Sequence, residues 1–166
     1  MGMVKMGDMG VKDLKRVIYS EFADIAKSVG YSEVHGRIIA ALFASHKEMT
    51  LQQLAKETGH SPSSISVSLD LLEALGMVSK YKKANDRRLY VRLDGDLLDG
   101  LRKAIILKTR ANITNTLDRF KAYEENLEKL GSKECEEVKT ILDTLRKEMK
   151  RLDKYLEKIE KVEIPE

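Results

Sequence analysis

Six basic side chains, Lys80, Lys82, Lys83, Arg87, Arg88 and Arg92, fall within thirteen residues that hold a single carboxylate, Asp86. The chemistry such a cluster offers is attraction rather than catalysis. Ammonium and guanidinium groups neutralise phosphates and release their condensed counter-ions. The chain as a whole carries a net charge of only +3. Residues 1–95 hold 14 Lys and Arg against 11 Asp and Glu, and residues 96–166 hold 16 against 16, so the excess lies entirely in the first part. A local patch of this kind points to a polyanionic partner more directly than overall charge does.

A second cluster precedes it. The stretch SPSSISVS sets the hydroxyls of Ser61, Ser63, Ser64, Ser66 and Ser68 around Val67. Serine donates to phosphates or to several base edges, and valine makes apolar contact with a thymine methyl. The helix start around Ser61 to Ser64 offers backbone N–H groups to a phosphate.

Other chemistries find no support. There is no nucleophile–base motif, Walker loop or glycine fingerprint, so an enzyme is not expected. His35, His46 and His60 are too scattered for a metal motif, and no cofactor is implied. Cys135 is the lone cysteine and cannot form an internal disulfide, which fits a reducing cytoplasm; the acidic run KECEE around it disfavours a reactive thiolate. No apolar run reaches the roughly 18 residues of a membrane span. The opening MGMVKMGDMG has no apolar region of a secretory signal, and residues 1–10 are expected to be a mobile leader.

The elements that must position these clusters follow from periodicity. Leu14, Ile18, Phe22, Ile25 and Val29 make one apolar stripe of a helix from about Val11 to Gly30. Ser32 caps a second helix, EVHGRIIAALFAS, apolar nearly all round and therefore central. Thr50 and Gln53 form a capping box for a short third helix ending at Gly59. Ser61-Pro62 opens a fourth, with Ile65, Leu69, Leu72 and Leu75 inward and Ser63, Ser64, Val67, Ser68 and Leu71 outward. After Gly76 the period falls to two. Met77–Lys83 and Arg88–Leu93 read as a hairpin turning at Ala84-Asn85-Asp86.

From Asp96 a long helix is expected to run to about Leu130, with a break and new cap at Gly131-Ser132. The last helix carries Val138, Leu142, Leu145, Met149, Leu152, Leu156 and Ile159 at alternating steps of four and three, a heptad seam. It is expected to pair two chains. The alternative is a hairpin within one chain against Ile106, Ile113, Leu117, Phe120 and Leu127.

Two short helices joined by a tight glycine turn and followed by a hairpin spell a winged helix-turn-helix. Ala55 is small at the helix crossing, Gly59 permits the turn and Ile65 anchors the second helix. The run LQQLAKETGHSPSSISVSLDLLEALGMVSKYKKANDRRLYVRL resembles MarR-type winged-helix transcription regulators. The first helix and the C-terminal helical pair look most like the GbsR subgroup. Asp86-Arg87-Arg88 matches the family's Asp-x-Arg wing motif, and Ser61, Pro62, Ile65 and Ser66 match its recognition-helix pattern. The resemblance implies that Arg88 enters a minor groove and that Asp86 orients it by a salt bridge. One departure stands out: the recognition helix has no Lys or Arg and carries Asp70 and Glu73. An arginine fork on guanine is therefore absent, and shape, methyl contacts and half-site spacing must carry more of the readout.

The expected fold is mainly α with a small β-hairpin wing: leader 1–10, winged helix-turn-helix 11–95, and a helical dimerisation extension 96–166 with a coiled coil over about 138–159. The expected function is a cytoplasmic, homodimeric, sequence-specific double-stranded DNA-binding regulator, a repressor in the first instance. DNA contacts are assigned to Ser61, Ser63, Ser64, Ser66, Val67, Ser68, Lys80, Lys82, Lys83, Arg87 and Arg88. A non-specific architectural nucleic-acid binder and a winged-helix protein-interaction adaptor are the competing readings. No small-molecule effector is legible in the residues.

Overall fold

The computed structural model describes residues 10–130 and 134–165. The rest of the expected leader and the expected break at Gly131-Ser132 lie outside the described residues. The elements, in order, are α1 (Val11–Ser28), α2 (Glu33–Ser45), β1 (Met49–Thr50), α3 (Leu51–Thr58), α4 (Pro62–Ala74), β2 (Val78–Lys83), β3 (Asp86–Leu93), α5 (Leu97–Leu130) and α6 (Glu134–Glu160). The chain divides into two compact units, Met1–Gly100 and Leu101–Glu166.

In the first unit the helix starts are made by the capping residues the sequence offers. Ser32 Oγ accepts from the Val34 N–H at 3.3 Å. The Gln53 N–H donates to Thr50 Oγ1 at 3.2 Å while the Thr50 N–H donates to Gln53 Oε1 at 2.7 Å, closing the box at α3. Ser61 Oγ accepts from the Ser64 N–H at 3.2 Å, with Pro62 at the first turn of α4. Gly59 ends α3 in the left-handed region at φ 76°. A side chain there would be strained, and the tight turn between α3 and α4 depends on this freedom.

The core gathers on α2. Ile38 and Leu42 are fully buried with Leu54 of α3, Ile65 and Leu69 of α4, and Val91 of β3. Gly36 lets α1 come close: a Cβ there would meet the Phe22 carbonyl oxygen at 2.0 Å. Contact at that range is backbone on backbone, so no rotamer change relieves it.

Helix α1 differs from its expected inward stripe. Its buried residues are Tyr19 and Ala23, while Leu14, Ile18 and Ile25 are exposed along with Val11 and Val17. The 3.6-residue period identified the helix, but the small Ala23 faces the close approach at Gly36. The larger apolar side chains occupy another face.

The sheet also has one more strand than the hairpin. β1 pairs with β3 antiparallel, giving the order β1-β3-β2. A strand of two residues is too short to show alternation. The hairpin turns at Ala84-Asn85, with Asn85 at φ 63° and Asp86 already in β3, and its register shifts between Lys82 and Lys83.

In the second unit α6 runs back antiparallel along α5. Arg102 donates to the Val162 carbonyl at 2.5 Å, Arg110 pairs with Asp153 at 3.4 Å and Glu160 at 3.1 Å, and Arg146 pairs with Glu124 at 2.5 Å. Between these pairs, Ile106, Ile113 and Leu156 form a buried cluster with Leu117, Met149 and Ile159 packed against it. The heptad seam is therefore split. Leu156 is buried against α5, with Met149 and Ile159 packed there too, and Leu142 is also buried; these four are taken up within the chain rather than free for a partner. Val138, Leu145 and Leu152 stay exposed, on a face shared with Ile141 and Tyr155. A heptad marks two positions per repeat: one, at Leu142, Met149 and Leu156, turns inward, while the other stays exposed at Val138, Leu145 and Leu152 and turns inward only at Ile159.

Candidate nucleic-acid interface

The recognition helix α4 sorts its residues by helical face. Ile65, Leu69 and Leu72 are buried, and Ser68 lies among them at 6% exposure. The expectation that Ser68 faces outward is thereby corrected: three residues past Ile65 and four before Leu72, it must share their side. The outward row is Ser63, Val67, Asp70 and Ala74, at steps of four, three and four, with Val67 71% exposed. Ser64 and Ser66 flank this row, half-buried. Ser61 serves as the helix cap and also meets Ser63 Oγ at 3.0 Å. Of the amides expected at a phosphate, that of Ser64 is already given to the cap.

On the wing, Asp86 and Arg88 form a fork. Arg88 Nη2 donates to Asp86 Oδ2 at 2.6 Å, Arg88 Nε reaches both carboxylate oxygens at 3.0 Å, and the Arg88 backbone N–H donates to Oδ1 at 3.0 Å. Tyr90 OH donates a further bond to Oδ2 at 2.7 Å. With the Arg88 bonds leading and Tyr90 following, the Asp86 carboxyl is held well below the usual carboxylate range. The same bonding raises Arg88, and the Asp86 contact raises the Tyr90 phenol. The arginine side chain still shows 61% of its surface, so its charge is aimed outward and held rather than buried.

The other cations divide into two groups. Lys80 is drawn back to α4: its Nζ lies 2.5 Å from Asp70 Oδ1 and 2.9 Å from Glu73 Oε2, and its backbone N–H donates to Glu73 Oε1 at 3.1 Å. These bonds raise its pKa, Asp70 contributing most. Its side chain is only 18% exposed, so it is poorly placed as the phosphate contact expected of it. Lys83 pairs with Glu48 just before β1, an interaction that raises its pKa, and Tyr81 OH donates to the same carboxylate. Lys82 and Arg87 are exposed and form no ion pair with a described residue.

Sequence reasoning missed the support behind the wing. Tyr81 and Tyr90 stack with centroids 6.1 Å apart; Lys83 Nζ sits 4.3 Å over the Tyr90 ring, and Arg92 lies 5.6 Å over Tyr81. Arg92 Nε also donates to Ser79 Oγ at 3.1 Å. The signal was present as alternation: Arg88, Tyr90 and Arg92 share one face of β3. No signal marked Glu48, which reaches the wing only through the β1–β3 pairing. Among the described residues there is no group of three side chains able to hold a metal ion, and no helix long and apolar enough to cross a membrane.

Short α3 and α4 joined at Gly59, followed by the β2–β3 hairpin of a three-stranded sheet, define the winged helix-turn-helix class. Residues 30–89 match the model of the MarR family, and the fold is the MarR winged helix with C-terminal helices. A crystal structure of a transcriptional regulator aligns with a TM-score of 0.59 at 16% identity, covering 87% of this chain and 93% of that one, and shows the shared fold. Weaker likeness extends to an S. aureus MepR mutant bound to an oligodeoxyribonucleotide, with TM-score 0.41, 21% identity, and 87% and 99% of the two chains covered. NadR in complex with 4-hydroxyphenylacetate gives TM-score 0.41 and 24% identity over 89% and 99%. No curated protein matches the chain.

Proposed function

We propose that the protein is a sequence-specific double-stranded DNA-binding transcription regulator, a repressor acting as a cytoplasmic homodimer, with residues 11–95 reading DNA and residues 96–166 dimerising. The observation that carries this reading is the Asp86–Arg88 fork. A guanidinium held at three hydrogen bonds by one carboxylate, which also accepts the Arg88 backbone N–H and is itself fixed by Tyr90, is a preorganised cation on an exposed hairpin. Such an arginine fits a narrow minor groove, where the potential is most negative. The adjoining row Ser63, Val67 and Asp70 then faces the major groove, and Lys82 and Arg87 lie free for phosphates. MarR-family regulators bind DNA, and the match over residues 30–89 spans this whole apparatus up to Leu89.

Dimerisation is favoured by the apolar surface left bare. Val138, Ile141, Leu145, Leu152 and Tyr155 are exposed on α6, and Val11, Leu14, Val17, Ile18 and Ile25 on α1. Apolar rows of this length on a soluble chain mark contact surfaces, and a second copy supplies two recognition helices for two half-sites. The resemblance of the first helix and the C-terminal pair to the GbsR subgroup is the basis for reading the chain as one of that subgroup. A small-molecule effector would act by binding one spacing of the half-site readers better than another.

The test is selection from sheared genomic DNA with the purified protein at near-physiological salt, followed by sequencing of the retained fragments. The expected result is an enriched inverted repeat near promoters. Retention without a motif would favour an architectural binder. No retention, even at low salt, would favour an adaptor that docks on protein.

A further inference from the structure

The recognition helix carries no cation, yet its outward row includes a carboxylate. Asp70 follows Val67 by three residues on that row, and its side chain is 66% exposed. An unbalanced carboxylate at this place would repel the phosphates on either side of a groove. The structure offsets it in part, leaving one net negative charge on the cluster of Lys80, Asp70 and Glu73. Lys80 Nζ lies 2.5 Å from Asp70 Oδ1 and 2.9 Å from Glu73 Oε2, and Glu73 fixes the root of the lysine by accepting its backbone N–H at 3.1 Å. The lysine comes from β2 and the carboxylates from α4, so the clamp sets the base of the wing against the reading helix. Asp70 is thus neutralised from one side, while Oδ2 makes no hydrogen bond to a described residue.

We propose that Asp70 is a base-reading residue, accepting a hydrogen bond from a cytosine N4 amino group in the major groove, and that Lys80 is its positioning counter-charge rather than a phosphate contact. This deepens the DNA-binding reading and rests on it. A carboxylate can only accept. In the major groove guanine presents N7 and O6 acceptors and thymine an O4 acceptor, which it repels; adenine sets its N6 donor beside the N7 acceptor, whereas cytosine presents the N4 donor with no acceptor next to it, the edge a carboxylate suits best. Val67, beside it on the row, fits a thymine methyl, so the half-site should hold a cytosine next to or near a thymine.

The experiment compares wild type with Asp70→Asn by selection from random duplexes, then by fluorescence anisotropy on duplexes differing at one base pair per half-site. Asparagine is nearly isosteric and the site is exposed, so the fold is retained, as a circular-dichroism melt verifies. It also donates as well as accepts, which suits adenine N6 and N7. The expected result is a change of preference from cytosine to adenine at one symmetric position, by about tenfold, with other positions unmoved. A motif identical for the two proteins overturns the role of Asp70 while leaving the regulator reading intact. A wild-type protein that enriches no motif overturns both. For Lys80, the pair Lys80→Met and Lys80→Met/Glu73→Gln is decisive. A counter-charge predicts that the second change recovers most of the affinity lost in the first, whereas a phosphate contact predicts equal loss in both.

Discussion

Replacing Arg88 by alanine removes one preorganised cation from the wing and leaves the carboxylate that held it. On the DNA side, losing an arginine contact of this type raises Kd by about 5- to 150-fold. Removing one phosphate-neutralising charge also flattens the plot of log affinity against log salt by about 0.9. Raising salt from about 50 to 200 mM should therefore narrow the gap between variant and wild type by about threefold. On the folding side little should change, because the arginine is 61% exposed and its pairing is screened by solvent. The two effects separate cleanly: anisotropy titrations across salt read the first, and a thermal melt reads the second. Asp86 adds a pH test. Its folded pKa is depressed, so its contribution is present above the unfolded value of about 3.9 and is lost only as pH falls below it. Wing-dependent affinity should be flat from pH 8 down to 5. An unchanged Kd and salt slope in the alanine variant would remove the wing from the mechanism, and a collapsed melting temperature would make Arg88 a structural residue.

Gly36→Ala drives a methyl into the Phe22 carbonyl, so stability should fall by about 3 kcal/mol, or on the order of 10–20 °C in melting temperature; an unshifted melt would mean that α1 and α2 do not meet there. Leu145→Lys changes an exposed side chain on α6, so helicity should persist while sedimentation shifts to monomer; a persistent dimer would place the interface elsewhere. Leu156→Lys, at a buried position, should instead lower helicity. Tyr19 is buried and donates to Glu57 Oε1 at 2.9 Å, and burial followed by that bond pushes its phenol up to about 12. Its raised value contributes stability below pH about 10 that disappears as pH rises through 12. Absorbance titration near the phenolate band should show a step near pH 12 that Tyr19→Phe removes; a titration unchanged by the substitution would contradict the contact.

Much of this architecture was legible because local chemistry decides it. Thr50 with Gln53, Ser61 with Pro62, and Gly59 fix where α3 and α4 begin and stop, and those boundaries alone spell the reading motif. Charge clustering found the wing for the same reason. What sequence could not show was which charges are already spent. Asp70 and Glu73 stand ten and seven residues before Lys80, and only the packing of β2 beside α4 brings them together. Glu48 is farther still, thirty-five residues before Lys83. The six cations of the hairpin thus face four carboxylates, Glu48, Asp70, Glu73 and Asp86, and Lys82, Arg87 and Arg92 pair with no carboxylate among the described residues. The division of the heptad seam was hidden for a different reason. Leu142 and Leu145 obey one repeat, and the repeat does not say whether the facing helix comes from the same chain.

That partial neutralisation has a functional consequence. Non-specific binding scales with the phosphates neutralised, so a wing with half its cations held internally loses more of that component than of base readout. On the proposed reading, selectivity then rests on Arg88 in the minor groove and on Val67 and Asp70 of α4.

The most direct test is a dimethyl sulfate protection experiment on the best duplex recovered with the wild-type protein, since the reagent reports guanine N7 in the major groove and adenine N3 in the minor groove together. The account predicts guanine protection in two major-groove segments about one helical turn, or 10 base pairs, apart, each flanked by minor-groove adenine protection that disappears in Arg88→Ala. Binding without protection in either groove, or minor-groove protection that survives the substitution, would contradict it.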